Sequence, residues 1–148
     1  STLMQTFSKR SKSDLTKNDV WEVSSLIKIS EDLPSKRWEI PRSFLDGWSW
    51  GEDHLSDHLA GCLDADLSRP ILIWNGGVVD GCHRICRALS QGETHLQAID
   101  LSCLMPPPNR VEDYLMCSRE VKWCFKDMVS VLEVLKSRDY DFRHPLDI

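Results

Sequence analysis

The 148-residue sequence has no run of apolar residues long enough to span a membrane, since a helical span needs roughly 18 consecutive residues. It shows no signal-peptide pattern either. The net charge is −5 and the pI is near 5.5, so there is no global basic field of the kind that drives non-specific binding to nucleic acid. We therefore expect a cytoplasmic protein whose contact with DNA, where present, is local.

The cysteines also lack a recognisable pairing motif. No two of them are in Cys-x-x-Cys spacing, and their spacing does not resemble a zinc site. A chain of this length buries enough core to fold without disulfides, so we expect reduced thiols. The six cysteines are Cys62, Cys82, Cys86, Cys103, Cys117 and Cys124.

A hairpin pattern begins at residue 71. Apolar and largely β-branched residues at 71–74 and 78–79 predict two strands. Between them, Asn75-Gly76-Gly77 predicts a tight turn, because asparagine and glycine tolerate positive φ. The two strands therefore form a predicted β-hairpin.

A helix is predicted directly after the hairpin. Apolar residues recur at Ile85, Cys86 and Leu89, the spacing of one buried helix face. The helix runs from about Cys82 to Gln91 and stops at Gly92, which supplies the left-handed residue common at helix ends. A further strand is predicted at residues 97 to 101.

The residues at the predicted helix start are Asp80-Gly81-Cys82-His83-Arg84, called the junction segment below. The first N–H groups of a helix point out of its end, and the helix dipole adds partial positive charge there. Gly81 allows a ligand to approach the backbone closely. The segment therefore predicts an anion site, with a nucleotide phosphate as the ligand. The alternative is a tight turn in which Gly81 has only a conformational role and Arg84 faces solvent.

Residues 69 to 101 resemble the core of the ParB/sulfiredoxin superfamily. A Pro-Ile-x-Val type strand in that superfamily leads through a hairpin to a Gly-x-x-Arg helix start, and another strand follows. In this chain the segment that corresponds to the strand is Pro70-Ile71-Leu72-Ile73, and the segment that corresponds to the helix start is Gly81-Cys82-His83-Arg84. Sulfiredoxins have Gly-Cys-His-Arg at that point.

The resemblance implies an α+β fold: a small mixed sheet with a hairpin–helix–strand core, followed by C-terminal helices. The expected core spans residues 20 to 104, with Val23–Ile27 as its first strand. Residues 1 to 19 are polar and without clear periodicity, so we expect a flexible arm. Residues 105 to 148 are expected to be a helical extension, with helical spacing of apolar residues between 111 and 136.

The resemblance also implies a function. Superfamily members bind ATP, ADP or CTP at this helix start, and some plasmid-borne members are fertility-inhibition factors with ATPase and nuclease activities. The expected activity is hydrolysis of ATP with Mg²⁺, with DNase activity as a further expectation. Expected partners are a nucleotide, DNA and a protein of a conjugation or secretion apparatus.

In this interpretation each junction residue has a role. Asp80 holds the metal ion and orients water. Gly81 and Cys82 belong to the phosphate-binding turn, where His83 and Arg84 bind the phosphates and stabilise the charge that develops during hydrolysis. The predicted catalytic residues are thus Asp80, His83 and Arg84.

Two alternatives stay open. In the first, Cys82 is a nucleophile, as in sulfiredoxins, which use ATP to repair a sulfinic acid on a peroxiredoxin. Sulfiredoxins have Phe-Gly-Gly before the cysteine, whereas this chain has Val79-Asp80-Gly81. The added carboxylate opposes thiolate formation, which favours the metal-assisted hydrolase. In the second alternative, the protein only mediates an interaction and turns nothing over.

Overall fold

A computed structural model of the chain describes residues 5–41, 48–51, 55–102, 104–114 and 120–123. Within these residues the chain forms nine short strands and three helices, which is an α+β fold. The strands are β1 (Thr6–Arg10), β2 (Lys17–Glu22), β3 (Lys36–Glu39), β4 (Trp48–Gly51), β5 (Ile71–Trp74), β6 (Gly77–Asp80), β7 (His95–Asp100), β8 (Arg110–Asp113) and β9 (Glu120–Trp123). The helices are α1 (Val23–Ser30), α2 (Leu55–Asp64) and α3 (Cys82–Ser90).

The strands form three sheets, with the orders β1-β2-β8, β3-β7-β5-β6 and β4-β9. By its contacts the chain divides into two compact units. The first comprises Ser1–Lys36, Ile71–Asp80 and Ala98–Met116, and the second comprises Arg37–Pro70, Gly81–Gln97 and Cys117–Ile148.

An apolar cluster holds the first unit together. Its fully or nearly buried members are Trp21, Leu26, Leu72, Val79, Ile99 and Leu101. Aromatic rings extend this cluster, since Phe7 and Trp74 lie with ring centroids 5.8 and 5.6 Å from that of Trp21. The Trp21 indole N–H donates to the backbone oxygen of Pro106 at 2.8 Å, so the buried polar end of the ring has a partner.

The predicted hairpin is confirmed as β5 and β6. Trp74 pairs with Gly77, and the two residues between them, Asn75 and Gly76, have φ of 49° and 78°. Two consecutive positive φ values are typical of the two-residue turn whose twist matches that of the flanking strands. On its other side β5 pairs in parallel with β7, where Ile71 is opposite Ala98.

In the second unit, α2 packs against α3, and β4 pairs with β9. The buried face of α3 comprises Ile85, Cys86 and Ala88. The helix stops because Gly92 adopts φ of 79°, which allows the N–H of Glu93 to bond back to the oxygen of Ala88 at 2.9 Å. The predicted helix from Cys82 to about Gln91 is thus confirmed to within one residue.

Two N-terminal predictions differ from the structure. Residues expected to form a flexible arm include β1 and the beginning of β2, which pair in antiparallel register. Phe7 explains the order of β1, because its ring packs on Trp21 and on Trp74, 67 residues away in the sequence. Val23–Ile27, expected as a strand, instead begins α1. In α1, Val23 and Leu26 are buried, a helical rather than an alternating spacing.

The C-terminal prediction also differs where the structure describes it. β8 and β9 lie in the region expected to be helical, and β8 pairs with β2. The remaining part of the predicted helices falls at residues 115–119 and 124–148, outside the described residues. Among the helices that are described, none is long and apolar enough to cross a membrane.

Candidate functional site

The junction segment is built as the sequence predicts, at the transition from a strand to a helix. Asp80 is the last residue of β6 and Cys82 the first of α3. Between them Gly81 occupies the N-cap with φ of 127°, a conformation that L side chains rarely adopt. Glycine is therefore required at this position by the backbone. Asp80 belongs to the first compact unit and residues 81 to 84 to the second.

Asp80 has a partner that the sequence did not indicate. The side-chain amide of Gln5 donates to Asp80 Oδ1 at 3.0 Å. Gln5 is itself placed by the backbone, because its carbonyl oxygen accepts from the N–H of Val23 at 3.1 Å. The amide donor therefore orients the carboxylate that the sequence assigned to a metal ion.

The first turn of α3 has an electrostatic character that suits an anion. It contains no acidic residue, so no carboxylate in that turn offsets the positive end of the helix dipole. Gly81 is buried, whereas Cys82, His83 and Arg84 are partly buried. The part of the helix start that is accessible to solvent is therefore formed by these three residues and not by Gly81.

Arg84 contacts backbone oxygens. Its Nη1 donates to the carbonyl oxygen of Arg69 at 3.2 Å and to that of Pro70. These carbonyls directly precede β5, so the guanidinium fixes the chain that enters this strand. Arg84, which the sequence predicts to bind phosphate, therefore has a structural role through its contacts with these backbone oxygens.

His83 packs against α2 at a glycine. A Cβ built on Gly61 would lie 2.5 Å from His83 Nδ1 and 2.7 Å from Cε1. Real carbon atoms do not approach that closely, so the imidazole occupies space that exists only because residue 61 has no side chain. The position of the predicted catalytic histidine therefore depends on Gly61.

Three thiols lie around the contact between the two helices. Cys62 of α2 and Cys86 of α3 are fully buried, and Cys82 is partly buried. A hydrogen bond with the Cys86 thiol raises the pKa of Cys62 far above its usual range. Burial, which disfavours the thiolate, and the neighbouring Cys86 and Cys82 raise that pKa further. Cys62 is therefore an unreactive thiol at neutral pH.

The junction carries at most part of a metal site. Within the described residues, no group of three or more His, Cys, Asp or Glu side chains is arranged to hold a metal ion. Magnesium is commonly held by one or two carboxylates together with substrate phosphates. A single carboxylate at Asp80 is compatible with that arrangement.

Three contacts were not predicted from the sequence: that of Gln5 with Asp80, that of His83 with Gly61, and the hydrogen bond between the thiols of Cys62 and Cys86. Gly61 carried a signal, because glycine in the middle of a helix costs about 1 kcal/mol relative to alanine and often has a packing reason. Gln5 carried none, since nothing local relates it to a residue 75 positions away.

Comparison of the chain with protein-family models, with curated protein sequences and with solved structures found no match.

Proposed function

We propose that the protein is a ParB/sulfiredoxin-like nucleotide-binding protein that hydrolyses ATP with Mg²⁺. The observation that carries the proposal is the strand–glycine–helix junction. Gly81 has positive φ at the N-cap of α3, and the first turn contains no acid. A helix start of this kind favours phosphate.

His83 and Arg84 provide the polar side chains of this site. Both belong to the first turn of α3, next to the positive end of the helix dipole, and both are partly buried. Partial burial strengthens their interaction with an anion, because less water screens the charge. Their role is to hold the phosphates and to stabilise the charge that develops as water attacks the terminal phosphorus of ATP and ADP leaves.

Asp80 is the residue proposed to hold Mg²⁺. The ion would neutralise phosphate charge when the nucleotide is bound. The amide of Gln5 donates to one oxygen of Asp80, which orients the carboxylate. Cys82 belongs to the phosphate-binding turn through its backbone and is not proposed as a nucleophile.

ATP hydrolysis by the purified full chain with Mg²⁺ tests the proposal. Asp80→Ala, His83→Ala and Arg84→Ala should abolish turnover, whereas Cys82→Ser should leave it nearly unchanged. Arg87→Ala is a matched control, because Arg87 is in the last turn of the same helix. Loss of turnover in Cys82→Ser alone would favour the sulfiredoxin-like alternative. A wild-type protein that neither binds nor hydrolyses nucleotide would favour the interaction protein.

Asp80→Asn separates the charge of Asp80 from its structural contact. The asparagine oxygen still accepts from Gln5, but the negative charge that attracts Mg²⁺ is lost. We expect Asp80→Asn to remove Mg²⁺-dependent hydrolysis, whereas Gln5→Ala removes the hydrogen bond and retains most of the activity. Full hydrolysis by Asp80→Asn together with its loss in Gln5→Ala would assign Asp80 a purely structural role.

We further propose that the protein acts on DNA in plasmid or other mobile-element biology, in the manner of a fertility-inhibition factor, with a protein of a conjugation or secretion apparatus as its partner. The support is the resemblance at residues 69 to 101. Incubation with plasmid DNA and Mg²⁺ tests the nuclease activity. Full cleavage by the Asp80→Asn and Arg84→Ala variants would assign that activity to another site.

A further inference from the structure

Strand β1 lies at an edge of the β1-β2-β8 sheet. Within the described part of the chain its only strand partner is β2. Four of its five residues are exposed, and the partly buried one is Phe7, which packs on the apolar cluster of the first unit. The strand is therefore anchored by one side chain and otherwise lies at the surface.

Two hydrogen bonds at the ends of β1 determine which of its backbone groups face away from β2. The N–H of Ser11 donates to the oxygen of Lys17 at 2.9 Å, and the N–H of Val23 donates to the oxygen of Gln5 at 3.1 Å. Bonded and non-bonded pairs alternate along an antiparallel ladder, so the odd-numbered residues of β1 bond to β2. The even-numbered residues direct their N–H and C=O groups outward: Thr6, Ser8 and Arg10.

The same edge is basic. Lys9, Arg10 and Lys12 fall within four consecutive residues, and none of the three makes an ion pair with a carboxylate of the described residues. Lys9 Nζ lies 4.5 Å from the centroid of the Trp74 ring, and the guanidinium carbon of Arg10 lies 3.7 Å from that of Tyr114. These rings hold the two cations beside the strand without neutralising them.

We propose that β1 is a docking edge for an acidic, extended segment of a partner protein, which adds to the sheet as a further strand. The outward N–H and C=O groups of Thr6, Ser8 and Arg10 bond to the backbone of that segment. Its carboxylates pair with the cations of the edge, which fixes the choice of partner. The inference does not rest on nucleotide hydrolysis, because the junction segment takes no part in the contact.

The charge of the edge disfavours a second copy of β1 as the added strand. Two such strands side by side would bring lysine and arginine side chains together, and cations on an edge strand are a common protection against self-pairing. The same charges attract an acidic strand. Repulsion of one partner and attraction of another give the edge its specificity.

Nucleic acid is a less favourable partner for this surface. The basic surface is narrow, since Asp19 lies opposite Lys9 in β2, and the net charge of the chain is −5. Phosphates would also leave the outward backbone groups of β1 without strand partners. A peptide strand satisfies these groups and the cations together.

Fluorescence anisotropy of a fluorescein-labelled peptide of alternating glutamate and valine, titrated with the purified full chain, tests the proposal. We expect saturable binding that weakens as salt is added, and no binding of the matching peptide of lysine and valine. Ser8→Pro removes an outward N–H and keeps the bonds to β2, so it should weaken binding about tenfold. Ser8→Ala is the matched control, because it retains the N–H and should bind like the wild type.

A second pair of variants tests the charge. The double variant Lys9→Gln/Lys12→Gln should bind the acidic peptide more weakly and with less dependence on salt. Lys28→Gln is its control, since Lys28 is an exposed lysine in the last turn of α1, and it should bind like the wild type. Equal binding by the double variant and this control would overturn the assignment of the cations.

Amide hydrogen exchange of the wild type, measured by NMR, gives the answer even if a variant fails to fold. The amides of Thr6, Ser8 and Arg10 should exchange more slowly when the acidic peptide is bound, whereas those of Phe7 and Lys9, already bonded to β2, should change little. Unchanged exchange at the three outward amides, or no binding of the peptide, would overturn the proposal. Binding of a single-stranded oligonucleotide in place of the peptide would overturn it as well and assign the cations to nucleic acid.

Discussion

The guanidinium of Arg84 donates to the carbonyl oxygen of Pro70, so the first turn of α3 is tied to the residue that precedes β5. The same nitrogen also donates to the oxygen of Arg69 at 3.2 Å. In this structure an arginine expected from the sequence to bind phosphate donates to the protein's own backbone. Loss of activity in an Arg84 variant therefore has two candidate causes, which stability measurements separate.

Arg84→Ala should lower the free energy of unfolding. Hydrogen bonds to charged groups contribute about 1.5–3 kcal/mol each when partly shielded from water, and one of the two contacts is exposed, so we expect a total loss of about 2 kcal/mol. Urea denaturation followed by circular dichroism measures it. Arg87→Ala, on the same helix, should change stability much less. An Arg84→Ala protein as stable as the wild type would show that the backbone contacts contribute nothing.

Gly61→Ala should displace His83. The new Cβ would lie 2.5 Å from Nδ1, and overpacking of this kind typically costs about 1–3 kcal/mol. The gain in helix propensity from glycine to alanine, about 1 kcal/mol, offsets part of the cost. The double variant Gly61→Ala/His83→Ala removes the clash and keeps the propensity gain, so it should be more stable than His83→Ala alone.

The NMR signals of His83 give an independent measurement of the contact between Gly61 and His83. In NMR spectra the imidazole signals should shift in Gly61→Ala because the ring leaves its position on α2. Unchanged His83 signals would mean that α2 moves as a whole and that Gly61 does not fix the ring.

Local patterns predicted the hairpin and α3 well, because their signals are contained in the segments themselves. The two-residue turn requires positive φ at both positions, and Asn75 and Gly76 adopt it because these residue types tolerate that conformation. The predicted buried face of α3 is Ile85, Cys86 and Leu89; Ile85 and Cys86 are buried together with Ala88, whereas Leu89 is partly buried. In both cases the tertiary structure uses the preference that the local sequence already has.

The N-terminal strand and the contacts of the junction segment depend on distant partners. β1 has an irregular burial pattern, and its order comes from β2 and from the aromatic contacts of Phe7. The same holds for Arg84, whose partners lie 14 and 15 residues away, and for Asp80 with Gln5. A single sequence carries no periodic signal for such pairs.

Gly76→Ala should destabilise the hairpin, whereas Gly77→Ala should not. Gly76 has φ of 78° and nothing within 4 Å of a built Cβ, so the cost is conformational and amounts to about 1 kcal/mol. At Gly77 the nearest heavy atom to a built Cβ is the Trp74 oxygen at 3.5 Å, an ordinary contact. Urea unfolding of the two variants side by side measures the difference. Equal stability would contradict the assigned turn conformation.

Asp100 should contribute to the acid dependence of stability. Hydrogen bonds from the side chain and backbone of Ser102 lower the pKa of its carboxyl group, and Lys36 lowers it further. The pKa of the folded state therefore lies below the unfolded value of about 3.9. The stabilisation is present above the unfolded value and is lost as pH falls through the folded value, so the relevant window begins near pH 4 and extends downward.

Ser102→Ala is the variant that tests the cause of this shift. It removes the side-chain donor but leaves the backbone N–H, which donates to Asp100 at 2.9 Å. The pKa of Asp100, measured by NMR titration of its carboxyl carbon, should rise toward its ordinary value without reaching it. Acid unfolding should then depend less steeply on pH in Ser102→Ala than in the wild type. An unchanged pKa would assign the shift to the two remaining causes, the backbone N–H of Ser102 and Lys36, whose Nζ lies 3.5 Å from Asp100 Oδ2. The pKa of Asp100 in Lys36→Ala would then separate these two causes.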